Sequence, residues 1–343
     1  MATVIESGIG ALNYGKQAAK GTMGVAATTT VGYNRPKWFD GILSAKKTLG
    51  EEPYIDGQRF ASPSVYTDKV GGQVGQVIFQ VQPENAGLYM AQILGVDVVT
   101  GGADPYTHTI TSAGTTGAWG TWWQSVGSAV GPEKGVYWDS KIAKLMLTVG
   151  REQKNMHYAL DIAALNAAEV FTTAPAKTED TSDPLLWTEV TGAVTFDGTV
   201  DSEANEEAVE IDTGMEPYWG DAISPVQLVE KKGTIVRTIK SIVTDATLLK
   251  YRKAVYNNTA PAARDRPVKD VFYADVRTVY TRSATRTMTI NTPRVAVRPE
   301  EMAVGAQREG GEIEISFGGA CLKNGATPAL SVIVLSAESA SYA

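Results

Sequence analysis

Alternation with a period of two is the feature that most constrains this chain. In "YTHTITS", Tyr106, His108 and Ile110 fall on one side and Thr107 and Thr109 on the other, as a half-buried strand requires. The pattern recurs in "AVTFDGTV", "AVEIDTG", "TIVRTIKSIV", "VFYADVRTVYT", "TRTMTINTPRVAV" and "EIEISFGG". These segments are rich in Thr, Val, Ile and aromatics and are broken by Gly, Pro or Asn. The chain is therefore read as mainly β.

Two segments follow a helical period instead. "PENAGLYMAQILG" spaces Leu88, Ala91 and Leu94 along one face, with Pro83 near its start and Gly95 as its stop. "TDATLLKYRKAVYNN" offers Thr244 and Asp245 as N-caps and places Arg252 and Lys253 near the negative end of the helix dipole. Each helix follows a strand, Val74 to Gln82 in one case and Thr234 to Val243 in the other, and further strands come after it. The order of elements thus repeats, although residue identities do not. The polar stretch "APAKTEDTSDP", Ala174 to Pro184, marks the seam. The expected organisation is an N-terminal module over 1–180 and a C-terminal module over 185–343.

With 343 residues, of which 43% are hydrophobic, the chain is long enough to bury a large core. Its formal net charge of -7, with Lys and Arg scattered, gives no basic footprint for gripping a phosphate backbone. Cys321, the single cysteine, excludes an intramolecular disulfide framework and Cys-based zinc clusters. The first residues lack the charged start and apolar run of a signal peptide. The apolar "ALSVIVLSA" is about half of the ~20 residues that span a bilayer. These features predict a soluble protein made in the cytoplasm, with no membrane partner.

Tests for chemistry return structural readings. Asp104 and His108 share a strand face, the arrangement of an acid-oriented general base. No nucleophile accompanies them: there is no G-x-S-x-G elbow, and His157 stands in the apolar "MHYAL". "GALNYGKQ", Gly10 to Gln17, follows a phosphate loop until Gln17 replaces the magnesium-binding hydroxyl, and no strand precedes it. "DSEANEE", Asp201 to Glu207, lacks the spacing and central glycine of a calcium loop and reads as a solvated acidic turn. Asn257-Asn258-Thr259 fits a glycosylation acceptor, which has no role without secretion. No catalytic, cofactor-binding or metal site is assigned, and the chain is not read as an enzyme.

The aromatic residues carry more information. From Tyr33 to Gly72 no periodic pattern appears, yet the stretch holds Trp38, Phe39, Tyr54, Phe60 and Tyr66. Loops of that length are functional or disordered, and disorder disfavours so many aromatics. In "GAWGTWWQSVG", Trp122 and Trp123 are adjacent and point to opposite faces of a strand, which predicts that one of them needs another layer or chain. Trp119, Trp122 and Trp123 join the five loop aromatics as expected inter-subunit contacts.

The order of these segments resembles the tail tube proteins, or major tail proteins, of long-tailed bacteriophages. The likeness runs through "VGGQVGQVIFQVQPENAGLYMAQILG", the P-[YF]-T-H-T core of "DPYTHTITSAG", "SKIAKLMLTVGREQKNMHYALDIAALNA" and "GAVTFDGTVDSEANEEAVEIDTGMEPYWG". It covers roughly residues 70 to 320, by pattern more than identity. The resemblance implies β-sandwich or barrel-like tube modules with short flanking helices. It further implies a virion protein that assembles with itself into rings, the rings stacking into a tube around a tape measure protein and later around passing DNA. The stretch from 33 to 72 matches the position of the loop that reaches the neighbouring ring. Since six modules surround the bore in that family, a duplicated chain implies rings of three, and a single decorated module implies six. A carbohydrate-binding β-sandwich, a hydrolase centred on His108, and another phage part such as a capsid, terminator or baseplate protein are the competing classes.

Overall fold

The computed structural model describes residues 10–23, 37–44, 47–54, 62–112, 117–126, 133–151, 154–168, 181–187, 194–222, 224–257, 270–298, 304–305 and 314–343. The first half contributes β1 (Gly10–Lys16), β2 (Lys37–Asp40), β3 (Lys47–Tyr54), β4 (Ser62–Val70), β5 (Gly72–Gln80) and helix α1 (Ala86–Leu94). It continues with β6 (Gly95–Thr100), β7 (Tyr106–Ser112), β8 (Gly120–Val126), β9 (Glu133–Gly150) and β10 (His157–Ala168). The second half opens with β11 (Val194–Phe196), β12 (Thr199–Val200), β13 (Ala204–Asp212), β14 (Glu216–Tyr218), β15 (Gln227–Val229) and β16 (Thr234–Ile242). After helix α2 (Asp245–Tyr256) come β17 (Phe272–Ser283), β18 (Arg286–Val297), β19 (Val304–Gly305), β20 (Glu314–Cys321) and β21 (Ser331–Ser336). The chain is mainly β, and its alternating segments became strands β7, β13, β16, β17, β18 and β20.

One continuous antiparallel sheet runs β2–β5–β10–β9–β13–β16–β20–β18. Within it one strand order occurs twice. In β2–β5–β10–β9 the second strand leads into α1, and in β13–β16–β20–β18 the second strand leads into α2. The length of β9 makes the junction between them possible. Its first part pairs with β8 and its last part, Lys144 to Gly150, with β13.

A second layer is formed by β6, β7, β21, β18 and β17, with the short β11 and β12 at its margin. β18 turns the corner between layers, because Thr287 to Asn291 pair with β21 while Val295 to Val297 pair with β20. The hydrophobic core fills the space between the layers and runs through both halves of the chain.

Helix α1 departs from its expected one-sided pattern: every one of its residues is buried. It packs on its surroundings from all sides, with Tyr89 at 4.7 Å from Phe79 and stacked at 5.9 Å on Trp122 between ring centroids. Burying such side chains contributes roughly 2–3 kcal/mol each. A Cβ on Gly87 would come within 2.7 Å of the Tyr342 ring, so a glycine is what lets the helix approach that side chain. Gly95 closes the helix in the left-handed conformation, φ 96°, at the predicted stop. Thr244 caps α2 as predicted, in a capping box with Thr247.

The region read as aperiodic holds strands. β2 joins the long sheet, and β3 and β4 form a hairpin that is a separate two-stranded sheet. Pro, Gly and charges at irregular spacing interrupt the period-two pattern in this hairpin's sequence, so alternation does not reveal it. The end of the polar seam is also less free than its composition suggests. Leu185 is fully buried, its amide donates to the Val81 carbonyl, and its own carbonyl accepts from Met156.

Candidate functional site

His108, the first candidate for chemistry, is sealed inside the protein. Its Nδ1 lies 2.9 Å from Oδ2 of Asp97 on β6, its Nε2 lies 2.8 Å from the Glu338 carbonyl, and its ring stacks on Tyr342 at 4.2 Å. The side chain is 0% exposed, so no substrate reaches it. The acid that orients it is Asp97 and not Asp104, which pairs instead with Arg286 at 2.7 and 2.9 Å. Sequence proximity suggested Asp104. Sheet pairing brings β6 alongside β7 and supplies a different carboxylate.

Both groups facing the ring nitrogens are acceptors, so both nitrogens carry protons and the imidazole is charged. Burial alone would lower its pKa. The hydrogen bonds to Asp97 and the Glu338 carbonyl, with the Asp97 and Glu338 charges, outweigh burial and raise it above the usual 6.5. Lys16 on β1 is a second cation of this cluster, reaching the Ala343 carbonyl and sensing the Asp97 charge. A raised histidine contributes stability that is complete below 6.5 and disappears as pH rises through the folded-state value. The unfolding midpoint is expected to fall across that upper window, and His108→Gln to flatten the slope there. An unchanged slope in the variant would refute the assignment.

The remaining sequence candidates are structural as well. "GALNYGKQ" is strand β1 and its continuation, and Gln17 exchanges hydrogen bonds with the Asp139 backbone amide and carboxylate at 2.8 Å. In "DSEANEE", Asp201 is held by Lys250 at 2.7 Å, and Glu207 is buried against Arg237 at 2.8 Å. The acidic turn is therefore partly interior, because β13 points alternate residues into the core. Cys321 is also buried there, and burial pushes its thiol up to about 12.

Trp122 is 0% exposed in the main core and Trp123 is 4% exposed on the opposite side of β8. Both faces of that strand are covered within one chain, so neither tryptophan requires a neighbour. Trp119 packs beside a small second core formed by Ala163, Leu165, Met215 and Leu228. None of the three is an open platform for a sugar ring. Of the other aromatics, Trp38 and Phe39 lie on β2, Tyr54 ends β3, and Tyr66 is in β4. Phe60 lies outside the described residues.

What the long sheet leaves open is one broad face. Cross-strand neighbours on it are Ile78, Ala159, Met146, Glu210, Val236 and Ala320, a row that follows the register from β5 to β20. Its charged residues are Asp161, Glu206, Glu210, Asp212 and Glu314 against Lys144 and Lys240, with Arg294 on β18 and Arg298 just past it at the far end of the same face. Lys144 pairs with Glu210 at 2.8 Å and Lys240 with Glu206 at 2.6 Å, each pair part-exposed. The hydrogen bond to Glu210 chiefly, with Asp212 and Asp161 nearby, raises the pKa of Lys144. Because both lysines are already neutralised by partners, the stretch of the face from β10 to β16 is acidic, and its β18 end is basic. Sequence alternation identified which residues leave the core. It carried no signal that strands from both halves would place them on one surface.

Residues 9–321 match the family of phage tail tube proteins, and the chain belongs to that family. It is accordingly a structural component of the virion tail that assembles with itself into a tube. No curated protein matches the sequence.

Proposed function

We propose that this chain is the ring subunit of a hollow tail tube, and that the open acidic face of the long sheet lines the bore through which DNA passes to the host. The repeated strand order carries this reading. The β9–β13 contact is one wall junction made inside a single chain. Repeating it between chains closes a ring and removes the sheet edges that a lone subunit leaves open. On this basis residues 1–180 and 185–343 each occupy one position around the bore, and three chains give a pseudo-hexameric ring; one module per chain gives six.

The acidic stretch suits a conduit, since its lysines are neutralised by partners and its remaining carboxylates repel a phosphate backbone and let it slide. Rings assembled in the host cytoplasm stack around a tape measure protein, which DNA later replaces in the lumen. The segment bearing Trp38, Phe39, Tyr54, Phe60 and Tyr66 reaches a neighbouring subunit. Electron microscopy of the purified protein, with the mass of isolated rings, tests the proposal. Rings of three 36.5 kDa chains are expected. Six chains per ring would remove the duplication, and particles without a central channel would remove the tube.

A further inference from the structure

We propose that the exposed patch formed by Val271, Tyr273 and Leu322 is the docking site for the β3–β4 hairpin of a second copy of this chain, side by side in the same ring. The argument rests on the ring reading above and begins with a contact the chain makes to itself. Between β13 and β16 the hairpin β14–β15 leaves the long sheet and folds over the neighbouring β5 and β10. There Leu228 and Met215 cover Ala163 and Leu165. Lys141 stands 4.7 Å over the Trp119 ring and is held by Glu230, just past β15, at 2.7 Å.

The repeated strand order transfers this arrangement. The last residue of β5, Gln80, pairs with the first of β10, His157, and the last of β16, Ile242, pairs with the first of β20, Glu314. Counted from those anchors, Ala320 stands where Ala163 stands, and Leu322 where Leu165 stands. Ala320 pairs with Ala296, as Ala163 pairs with Lys141. Even the cation over an aromatic ring recurs, with the Arg294 guanidinium 4.0 Å from the Tyr273 ring. The difference is the cover. Leu165 is 6% exposed, whereas Leu322 is 38%, Tyr273 40% and Val271 51% exposed.

The occupant follows from the same correspondence. β3–β4 lies between β2 and β5 as β14–β15 lies between β13 and β16. It hydrogen-bonds to no other described strand, and a two-stranded hairpin alone is marginal in water. In the chain's own junction the hairpin of one unit covers the unit whose last strand pairs with it. The β3–β4 hairpin belongs to the first unit of a chain, so the surface it covers is on the second unit of the next. Its sequence carries Glu51 and Glu52, and the patch is flanked by Arg294 and Lys323, the charge sense of Glu230 and Lys141.

The test places a photo-crosslinker in the patch, Tyr273→p-benzoylphenylalanine, and analyses single rings and stacked tubes by mass spectrometry. The expected adduct has the mass of two chains, joins position 273 to the peptide spanning 47–70, and is already present in single rings. In parallel, Leu322→Glu, at an exposed position, should lower ring yield about tenfold or more without changing the subunit's unfolding midpoint. Rings whose position 273 crosslinks elsewhere, or not at all, overturn the docking and leave the ring reading intact. Adducts confined to stacked tubes overturn the side-by-side geometry. Normal ring yield from Leu322→Glu overturns the patch as a contact. A wild-type protein that stays monomeric under assembly conditions overturns both readings together.

Discussion

Arg237→Ala is expected to destabilise the protein by about 3–5 kcal/mol, read as a shift in the urea midpoint. Arg237 is 1% exposed and its partner Glu207 is 0% exposed. Its guanidinium donates to Glu207 Oε1 at 2.8 Å, to the Val276 carbonyl at 2.7 Å, and to the hydroxyls of Thr292 at 2.8 Å and Thr278 at 2.6 Å. Tyr280 donates to the other oxygen of Glu207. These contacts tie β13 and β16 in the long sheet to β17 and β18 across the sandwich. Removing the cation leaves a buried carboxylate with one partner lost, and that uncompensated charge is the main cost. Arg237→Lys should recover little of it, because an ammonium cannot reach the carboxylate, carbonyl and hydroxyls that the planar fork spans. A loss below about 1 kcal/mol for the alanine variant would show that the network is not what holds the two layers together.

Tyr342→Ala is expected to cost a further large amount, about 3–5 kcal/mol, although it lies beyond the last strand. Segments that follow the last strand of a sheet are often loosely held. This one is 0% exposed, its hydroxyl donates to the Glu84 carbonyl at 2.7 Å, and its amide donates to Asp97 at 2.8 Å. Its ring fills the space left by Gly87 and stacks on His108. The alanine variant leaves a cavity against α1 and uncovers the charged histidine cluster. Limited proteolysis should therefore cut the segment beyond β21 far faster in the variant than in the parent at equal pH. Equal cleavage rates and an unchanged midpoint would mean that this segment is not anchored there.

The histidine and tryptophan assignments show where reading along the chain succeeds and where it stops. Alternation placed His108 on the same face as Ile110, and both are buried. It could not name Asp97 as the partner, because that depends on β6 lying next to β7 and on the tail returning from Glu338. The same rule correctly sent Trp122 and Trp123 to opposite sides of β8. It failed to anticipate that one chain covers both sides, since period-two patterning records direction and not what lies opposite.

Local chemistry alone determined the strand segments and both helix ends at Gly95 and Thr244, because these depend on residues within a few positions of one another. Tertiary structure decided the order of the sheet: β9 beside β13, β21 between β7 and β18, and a hairpin inside the stretch that looked aperiodic. Every strand offers the same row of backbone donors and acceptors, so its neighbour is chosen by side-chain packing across the whole molecule. The acidic face exists only once that choice has been made, when carboxylates from β10, β13 and β20 come to lie on one surface.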